Sequence, residues 1–501
     1  MSETETTPPA TSGLAARTVR GMFWAYGSYV AGRLLVLIST VILARLLIPA
    51  DFGVVALALT FMVFMDTVRD LGLGQALIVV PDSRLKAAAQ TAFWGSVAIG
   101  AILSAATGLI APLAAGFFDE PQLRGLLAVL GLNFLLRSLG ATHLALARRA
   151  LDFRSRTISE TSDAFTRGVV AVTLALAGAG AWSLVLGYLA GTMAALVAIW
   201  WRVRWRPRLP PSTAHLREML AFGGLLTFVD IGQAFAHEID YLFIGRVLGA
   251  APLGQYTIAF RLPELLIVNL SIVAGVVLFP AYAKLDRDRL ADAFLVSLRY
   301  TAVLVLPVAV GLGLLASPIV LTLFGSQWEP AIPVMQVLCI YAVVVTMNVP
   351  AGTVYKVTGR AWILIAFTVP YVVMLAAVLA VLTPHGILAV AGTMAGMQAL
   401  FSVGGWYVAT RILVVTPATI ARTLAGPAAA AATMVAPLLL VETVIGTPVI
   451  VLLLGVPLAG GAYLLGLHVF APDVAKRLRG VVASRAPRVA LSSRERTAAE
   501  S

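Results

Sequence analysis

Apolar residues run through this chain in blocks of about 20 or more, separated by short polar connections. A helix rises about 1.5 Å per residue, so about 20 apolar residues match the roughly 30 Å of hydrocarbon in a bilayer. Fourteen such blocks are legible, at about 22–44, 52–80, 89–115, 122–146, 157–179, 181–201, 219–245, 253–282, 291–316, 330–355, 361–382, 386–409, 419–440 and 445–470. The pattern predicts an all-α polytopic membrane protein with about 14 transmembrane helices. The first block is too long for a signal-peptide core and lacks a small-residue cleavage pattern behind it, so it is expected to persist as the first span. Only residues 1–20 and 471–501 are polar for any length, and they read as a disordered, weakly acidic tail and a basic tail.

One polar connection stands out: the basic, proline-rich linker 202–218, between the sixth and seventh blocks, preceded by Trp200 and Trp201 and containing Trp205. It divides the chain into an N-terminal bundle of six helices, 21–201, and a second, 219–409, with two additional helices in 410–470. Sliding the sequence against itself by 201 positions aligns Arg45 with Arg246, Gly53 with Gly254, Ala58 with Ala259 and Gly74 with Gly275, around the first connection of each half. Each half has an even number of spans, so both enter from the same face, as a parallel pseudo-repeat about an axis along the membrane normal. Paired bundles without a soluble motor domain suit alternating access. The chain has no GxxxxGK[ST] phosphate loop for ATP.

Composition sharpens the class. Hydrophobic residues make up 60% and charged residues 12%, against about 25% charged in soluble domains. The net charge of +12 would suggest nucleic acid if it formed one patch on a soluble surface. Instead, 27 of the 36 Lys and Arg fall in the terminal segments and connections on one side of the predicted spans, and only Arg45, Arg124 and Arg246 on the other. By the positive-inside rule this places both termini in the cytoplasm and leaves no need for a nucleic-acid partner. Cys339 is the single cysteine, so neither an intramolecular disulfide nor a cysteine metal site is available.

The six remaining basic residues lie inside spans, where an ionised group costs about 2.5–3.5 kcal/mol and needs a wet cavity or a partner. Arg69 is three residues from Asp66, Arg167 four from Asp163 and Arg261 three from Glu264, spacings that suit either structural ion pairs or a functional cluster. Arg137 also lies within a span, and Arg299 is near enough to a helix end to snorkel. Arg33 has no acid within one helical turn. Asp230, His237 and Glu238 recur at i, i+7 and i+8 on one face, which makes them candidates for coupling Na⁺ or H⁺, or counter-charges for Arg33 or Arg69. His385 and His468 read as packing or interfacial residues. Gly72, Gly74, Pro263 and Pro350 are expected to kink their spans. Trp24, Tyr26, Trp94 and Tyr241 could stack on sugar rings or simply pack.

The stretches RLLIPADFGVVALA from Arg45, DLGLGQALI from Asp70, DYLFIGRVLGAAPLGQY from Asp240 and LFGSQWEPAIPVMQVL from Leu323 resemble those of the bacterial oligosaccharide flippases. These are the Wzx-type and colanic-acid-exporter-like members of the multidrug/oligosaccharidyl-lipid/polysaccharide superfamily. The resemblance covers roughly residues 20–410. It implies a flippase of the bacterial inner membrane that moves an undecaprenyl-diphosphate-linked sugar repeat to the outer leaflet, beside polymerases and glycosyltransferases. In the related lipid II flippases an arginine in a Y-x-x-x-x-R-L-like context lines a cationic cavity. YTIAFRL from Tyr256 places Arg261 there, while the 201-residue shift places Thr60, not an arginine, at the matching point of the first half. Arg33, Arg69 and Arg261 are therefore the expected cationic site, with no resident cofactor and no enzymatic activity. Guanidinium forks suit diphosphate oxygens. A multidrug exporter or a lipid II flippase of the same superfamily is the alternative. A polymerase or ligase fits less well, because the longest external connection, 317–329, carries no His, Asp or Arg.

Overall fold

The computed structural model describes residues 32–69, 73–208 and 235–477, and among these the chain is helical, without strands. The first half runs through α1 (32–46), α2 (Pro49–Arg69), α3 (Leu73–Val79), α4 (Leu85–Phe118), α5 (Pro121–Arg149), α6 (Phe153–Leu176) and α7 (Ala181–Arg202). The second continues with α8 (235–247), α9 (Ala250–Pro263), α10 (Asn269–Tyr282), α11 (Arg287–Leu314), α12 (Ala316–Leu323), α13 (Ala331–Met347), α14 (Val349–Val357), α15 (Trp362–Leu382) and α16 (Ile387–Leu413). The last helices are α17 (Pro417–Ala432), α18 (Val435–Val444) and α19 (Pro448–Phe470).

Among the described residues, ten helical stretches are long and apolar enough to cross a bilayer. Of the other predicted spans, 22–44 and 219–245 lie partly outside the described residues. The span 157–179 is α6, which carries Arg156, Glu160, Asp163 and Arg167. The span 253–282 is α9 and α10 joined through a π turn, Glu264–Val268. Pro263 has no N–H to offer the carbonyl one turn back, and the wide turn follows directly. The expected break near Pro350 is present where α13 gives way to α14. Gly72 falls outside the described residues.

Contacts gather the described residues into two compact units, whose members fall within the following ranges. One comprises Met1–Leu265, Val320–Tyr341 and Arg360–Phe401; the other comprises Leu266–Ile319, Ala342–Gly359 and Ser402–Ser501. In the first, α4 pairs with α5 and α6 with α7 as antiparallel hairpins. Asp119, in the left-handed region at φ 55°, caps α4, and Pro121 opens α5.

The internal repeat is legible at the crossing of α2 and α9. A Cβ on Gly53 would overlap the carbonyl of Ala250, and a Cβ on Gly254 would overlap the carbonyl of Pro49. Both partners are related by the same shift of 201 positions, Pro49 to Ala250 and Gly53 to Gly254. Such reciprocity is what a local twofold produces, and glycine permits the close backbone approach.

Around this crossing the connection 317–329 is no open loop. Its apolar run PIVLTL folds as most of α12, and a 3₁₀ turn, Ser326–Trp328, delivers fully buried Trp328 edge-on to Phe52, ring centroids 5.3 Å apart. The Trp328 indole N–H donates to the Ala44 carbonyl at 2.9 Å, the Gln327 amide donates to the same oxygen at 2.7 Å, and Arg45 Nε donates to Leu323 O at 3.0 Å. Arg246 lies over the Phe117 ring at 5.1 Å. Of the three arginines assigned to the sparse side, Arg45 thus holds a connection in place and Arg246 covers the end of α4.

At the arginine-rich end, the linker folds back as far as it is described. Trp94 Nε1 donates to the Arg208 carbonyl at 3.2 Å, the Arg208 amide donates to Gln90 at 2.9 Å, and fully buried His143 lies 3.1 Å from the Trp205 carbonyl. The His143 ring stacks on Trp200, centroids 4.6 Å apart. Arg149 reaches the carbonyls of Leu77 and Val80, closing the end of α3, and pairs with Asp82 at 2.5 Å.

Asp152 caps α6 by accepting from the Ser155 amide at 3.0 Å and the Ser155 hydroxyl at 2.5 Å. Burial pushes its carboxyl upward, but the Ser155 hydrogen bonds and the Arg202 charge outweigh that and leave its pKa below the ordinary aspartate value. A depressed carboxyl pKa contributes stability that is present above the unfolded value and lost as pH falls through the folded one. Asp152→Ala is expected to cost about 1 kcal/mol at neutral pH. The difference from wild type should shrink as thermal unfolding is followed into the acid range; a cost independent of pH would show that the carboxylate is not the source.

The other unit is built on α11, against which α17, α18 and α19 pack with Leu315, Met434, Leu438 and Leu467 in the core. The Tyr463 hydroxyl donates to the Val303 carbonyl at 2.6 Å, tying α19 to α11.

Candidate functional site

Between α2, α3, α4, α5, α6 and α7 lies a cavity of about 390 Å³. Its walls carry Arg69, Arg137, Arg148, Glu160 and Asp163, with Ser96, Ser138, Ser159 and Thr192 between them. A polar hollow inside a bundle of spanning helices is the setting in which intramembrane charge is tolerated.

Asp66, itself outside the lining, ties together two arginines that line the cavity. Its two oxygens take separate guanidinium partners, Arg69 Nε at 2.7 Å from its own helix and Arg137 Nη1 at 2.5 Å from α5. On the opposite wall Asp163 pairs with Arg167 at 2.6 Å, and the Arg167 guanidinium lies 4.1 Å from the Tyr188 ring centroid. A Cβ on Gly191 would come within 2.6 Å of Asp163 Oδ1, so the glycine leaves room for that carboxylate. Asp163 Oδ1 and Ser138 Oγ are buried with hydrogen-bonding capacity unfilled. Arg156 pairs with Glu160 at 2.6 Å. Three guanidinium groups, of Arg69, Arg137 and Arg148, thus line the cavity with two carboxylates, of Glu160 and Asp163; with the ion-pair partners Asp66, Arg156 and Arg167, which are not part of the lining, five guanidinium groups accompany three carboxylates. The neighbourhood keeps a positive surplus after every local pair is made, and it suits an anionic guest.

The three arginines expected to form one site are not gathered on this cavity. Arg69 lines it; Arg33 lies half-buried on α1, and Arg261, on α9, stands 3.7 Å from Glu264. Neither Arg33 nor Arg261 is part of its walls. Arg137 and Arg148 take their place, and Arg137 shows the signature that singled out Arg33: no acid within one turn of its own helix. Its partner comes from α2, far away in sequence.

The acidic cluster is partly in view. Asp230 lies outside the described residues. Glu238 is half-buried and accepts from Thr60 Oγ1 at 2.8 Å, so the residue at the first-half counterpart of Arg261 meets an acid. His237, its neighbour, is exposed. Asp240, omitted from the expected cluster, is buried; it accepts from the Tyr256 hydroxyl at 2.7 Å while its other oxygen has no side-chain partner. Among the described residues no group of His, Cys, Asp and Glu is arranged to hold a metal ion. Of the aromatic residues suggested for sugar stacking, Trp94 is bonded to the linker and Tyr241 packs edge-on to Tyr256, centroids 5.7 Å apart; Trp24 and Tyr26 lie outside the described residues.

The chain has relatives among known proteins, both in sequence and in fold. The chain is 31% identical over 329 residues to the succinoglycan biosynthesis transport protein ExoT of Rhizobium meliloti, covering 65% of this chain and 66% of that protein. It is 28% identical over 361 residues to the lipopolysaccharide biosynthesis protein WzxC of Escherichia coli, covering 71% and 73%. The matched stretch thus spans about two thirds of the first relative's length. Among solved structures, the lipid II flippase MurJ in an inward closed conformation superimposes with a TM-score of 0.71 at 13% identity, over 90% of this chain and 99% of that one. A multidrug resistance MATE family transporter of the MOP superfamily gives 0.64 at 16% identity, over 76% and 94%. At those identities the likeness shows the fold, an all-α membrane transporter fold. Residues 42–333 match the family described as "Polysaccharide biosynthesis protein", more than half of the chain, and the chain belongs to that family.

Proposed function

We propose that this protein carries a lipid-linked oligosaccharide repeat across the bacterial plasma membrane by alternating access, for the synthesis of a surface or extracellular polysaccharide. Family membership and relatives named for polysaccharide biosynthesis and transport support the cargo class. The observation that carries the reading is the cationic surplus around the cavity of α2–α7. A diphosphate headgroup bears about two negative charges and cannot enter hydrocarbon without a steep desolvation cost. Arginine forks replace its lost water with charge-assisted, bidentate hydrogen bonds. In this reading the polyprenyl tail stays in lipid, both termini face the cytoplasm, and Arg33 and Arg261 supply further positive charge along the route. Glu238 and Asp240, with His237 and Asp230, are the groups proposed to couple Na⁺ or H⁺ to the movement. Polymerases and glycosyltransferases would act on either side of this step.

Reconstituted vesicles loaded with an undecaprenyl-diphosphate-linked oligosaccharide test the proposal, with outer-leaflet delivery read by a membrane-impermeant sugar-modifying enzyme. Delivery by Arg69→Gln, Arg148→Gln and Arg261→Gln is expected to fall at least about tenfold, the size of one lost charge-assisted contact. Imposing a Na⁺ or pH gradient should accelerate the wild type but not Glu238→Gln. Unchanged delivery in all three arginine variants, or efflux of organic cations in place of lipid delivery, would overturn the reading.

A further inference from the structure

The unit built on α11 has a hollow of its own, about 350 Å³, bounded by Val296, Arg299 and Tyr300 of α11 and by Asp473, Lys476 and Arg477 of the helical segment 472–477. That segment follows α19, a 23-residue apolar stretch long enough to cross the bilayer, so it begins where hydrocarbon gives way to headgroups. One side of it is packed: Ala471 and Val474 are 0% and 2% exposed, in the same core as Leu467 and Val303. Its other side turns Asp473, Lys476 and Arg477 outward.

Three cations meet one carboxylate here, and Arg299 joins no ion pair among the described residues. Its Nε is buried with no hydrogen-bond partner, although an unfilled guanidinium donor out of water is costly. Snorkelling explains how Arg299 reaches the membrane boundary, but it leaves this donor unexplained. A planar guanidinium flanked by two flexible cations matches the oxygens of a phosphate diester. Val296, 45% exposed, adds an apolar edge beside it. Basic pockets between spanning helices at headgroup depth are where anionic lipid headgroups are recognised.

We propose that this hollow binds the phosphate headgroup of an anionic glycerophospholipid from the leaflet on the arginine-rich side, with Arg299 as the fork and Lys476 and Arg477 as the closing charges. The bound lipid would fix the segment 472–477 against α11. The proposal is independent of the cargo assigned above, because its readout is retained lipid and not transport.

The test uses the full-length protein in nanodiscs of phosphatidylethanolamine with a minority of phosphatidylglycerol, followed by release into detergent and native mass spectrometry of the lipids retained. Wild type is expected to retain phosphatidylglycerol in preference to phosphatidylethanolamine. The Lys476→Gln/Arg477→Gln double variant changes only exposed side chains and is expected to retain at least about fivefold less. Arg299→Gln should lose a comparable share, with Arg299→Lys intermediate because it keeps the charge without the fork. A control removing two cations elsewhere on the same side, Lys284→Gln/Lys356→Gln, should retain lipid as wild type does. The proposal is overturned if the control loses as much lipid as the double variant, if wild type shows no preference for phosphatidylglycerol, or if inorganic phosphate displaces the lipid and so identifies a soluble-anion site.

Discussion

Gly53→Ala is expected to leave little folded protein in the membrane, and Gly254→Ala is expected to do the same. In each case the new methyl group would coincide with a backbone carbonyl of the opposing helix, Ala250 for the first and Pro49 for the second. A flexible side chain could swing aside; a main-chain carbonyl moves only with its helix. Overpacking typically costs about 1–3 kcal/mol, and an immovable neighbour puts these substitutions at or beyond the upper end. Native proteins have only about 5–15 kcal/mol of stability. Gly392→Ala, where a Cβ meets nothing within 4 Å, is the matched control and should be tolerated. Membrane yield and thermal unfolding of the three variants give the comparison. If one glycine proved sensitive and its counterpart indifferent, the contact would not be the reciprocal one that the repeat demands.

Asp66→Asn carries the second large effect, on transport more than on folding. The carboxylate holds Arg69 at 2.7 Å and Arg137 at 2.5 Å, and the amide that replaces it has one acceptor and no charge. Two guanidinium groups would then crowd a neutral partner in a half-buried cavity. The expected stability cost is about 1–3 kcal/mol, less than for a fully buried pair because water still reaches these side chains. Lipid delivery should fall at least about tenfold, since an arginine released from its anchor no longer presents a fixed fork. The double variant Asp66→Asn/Arg137→Gln should be more stable than the sum of the single changes predicts, with a coupling of about 0.5–3 kcal/mol. Strict additivity together with normal delivery by Asp66→Asn would remove this pair from the mechanism.

The apolar helices are legible in the sequence because a bilayer demands the same thing of every span: length and greasiness. Local ion pairs are legible for a related reason, since helical spacing alone brings Arg69 to Asp66 and Arg167 to Asp163. The cavity is not. Its walls come from six helices, and Arg137 meets Asp66 across 71 positions, a pairing that no local periodicity encodes. Arg33 and Arg137 look alike in the sequence, each an arginine in a span without a neighbouring acid; only tertiary packing separates their roles. The connection 317–329 is hidden for the opposite reason. A short apolar run ending in Gly325 reads as a loop between long spans, although PIVLTL is hydrophobic enough to coil into α12 and seat Trp328.

The π turn after Pro263 has a mechanical consequence. The main chain leaves one compact unit and enters the other inside that turn, between Leu265 and Leu266. Here the regular one-turn bonding is already interrupted, so a change of bend sacrifices no additional rung of the helical ladder. Bending the chain at this point therefore costs less than bending it within the regular turns of α9 or α10.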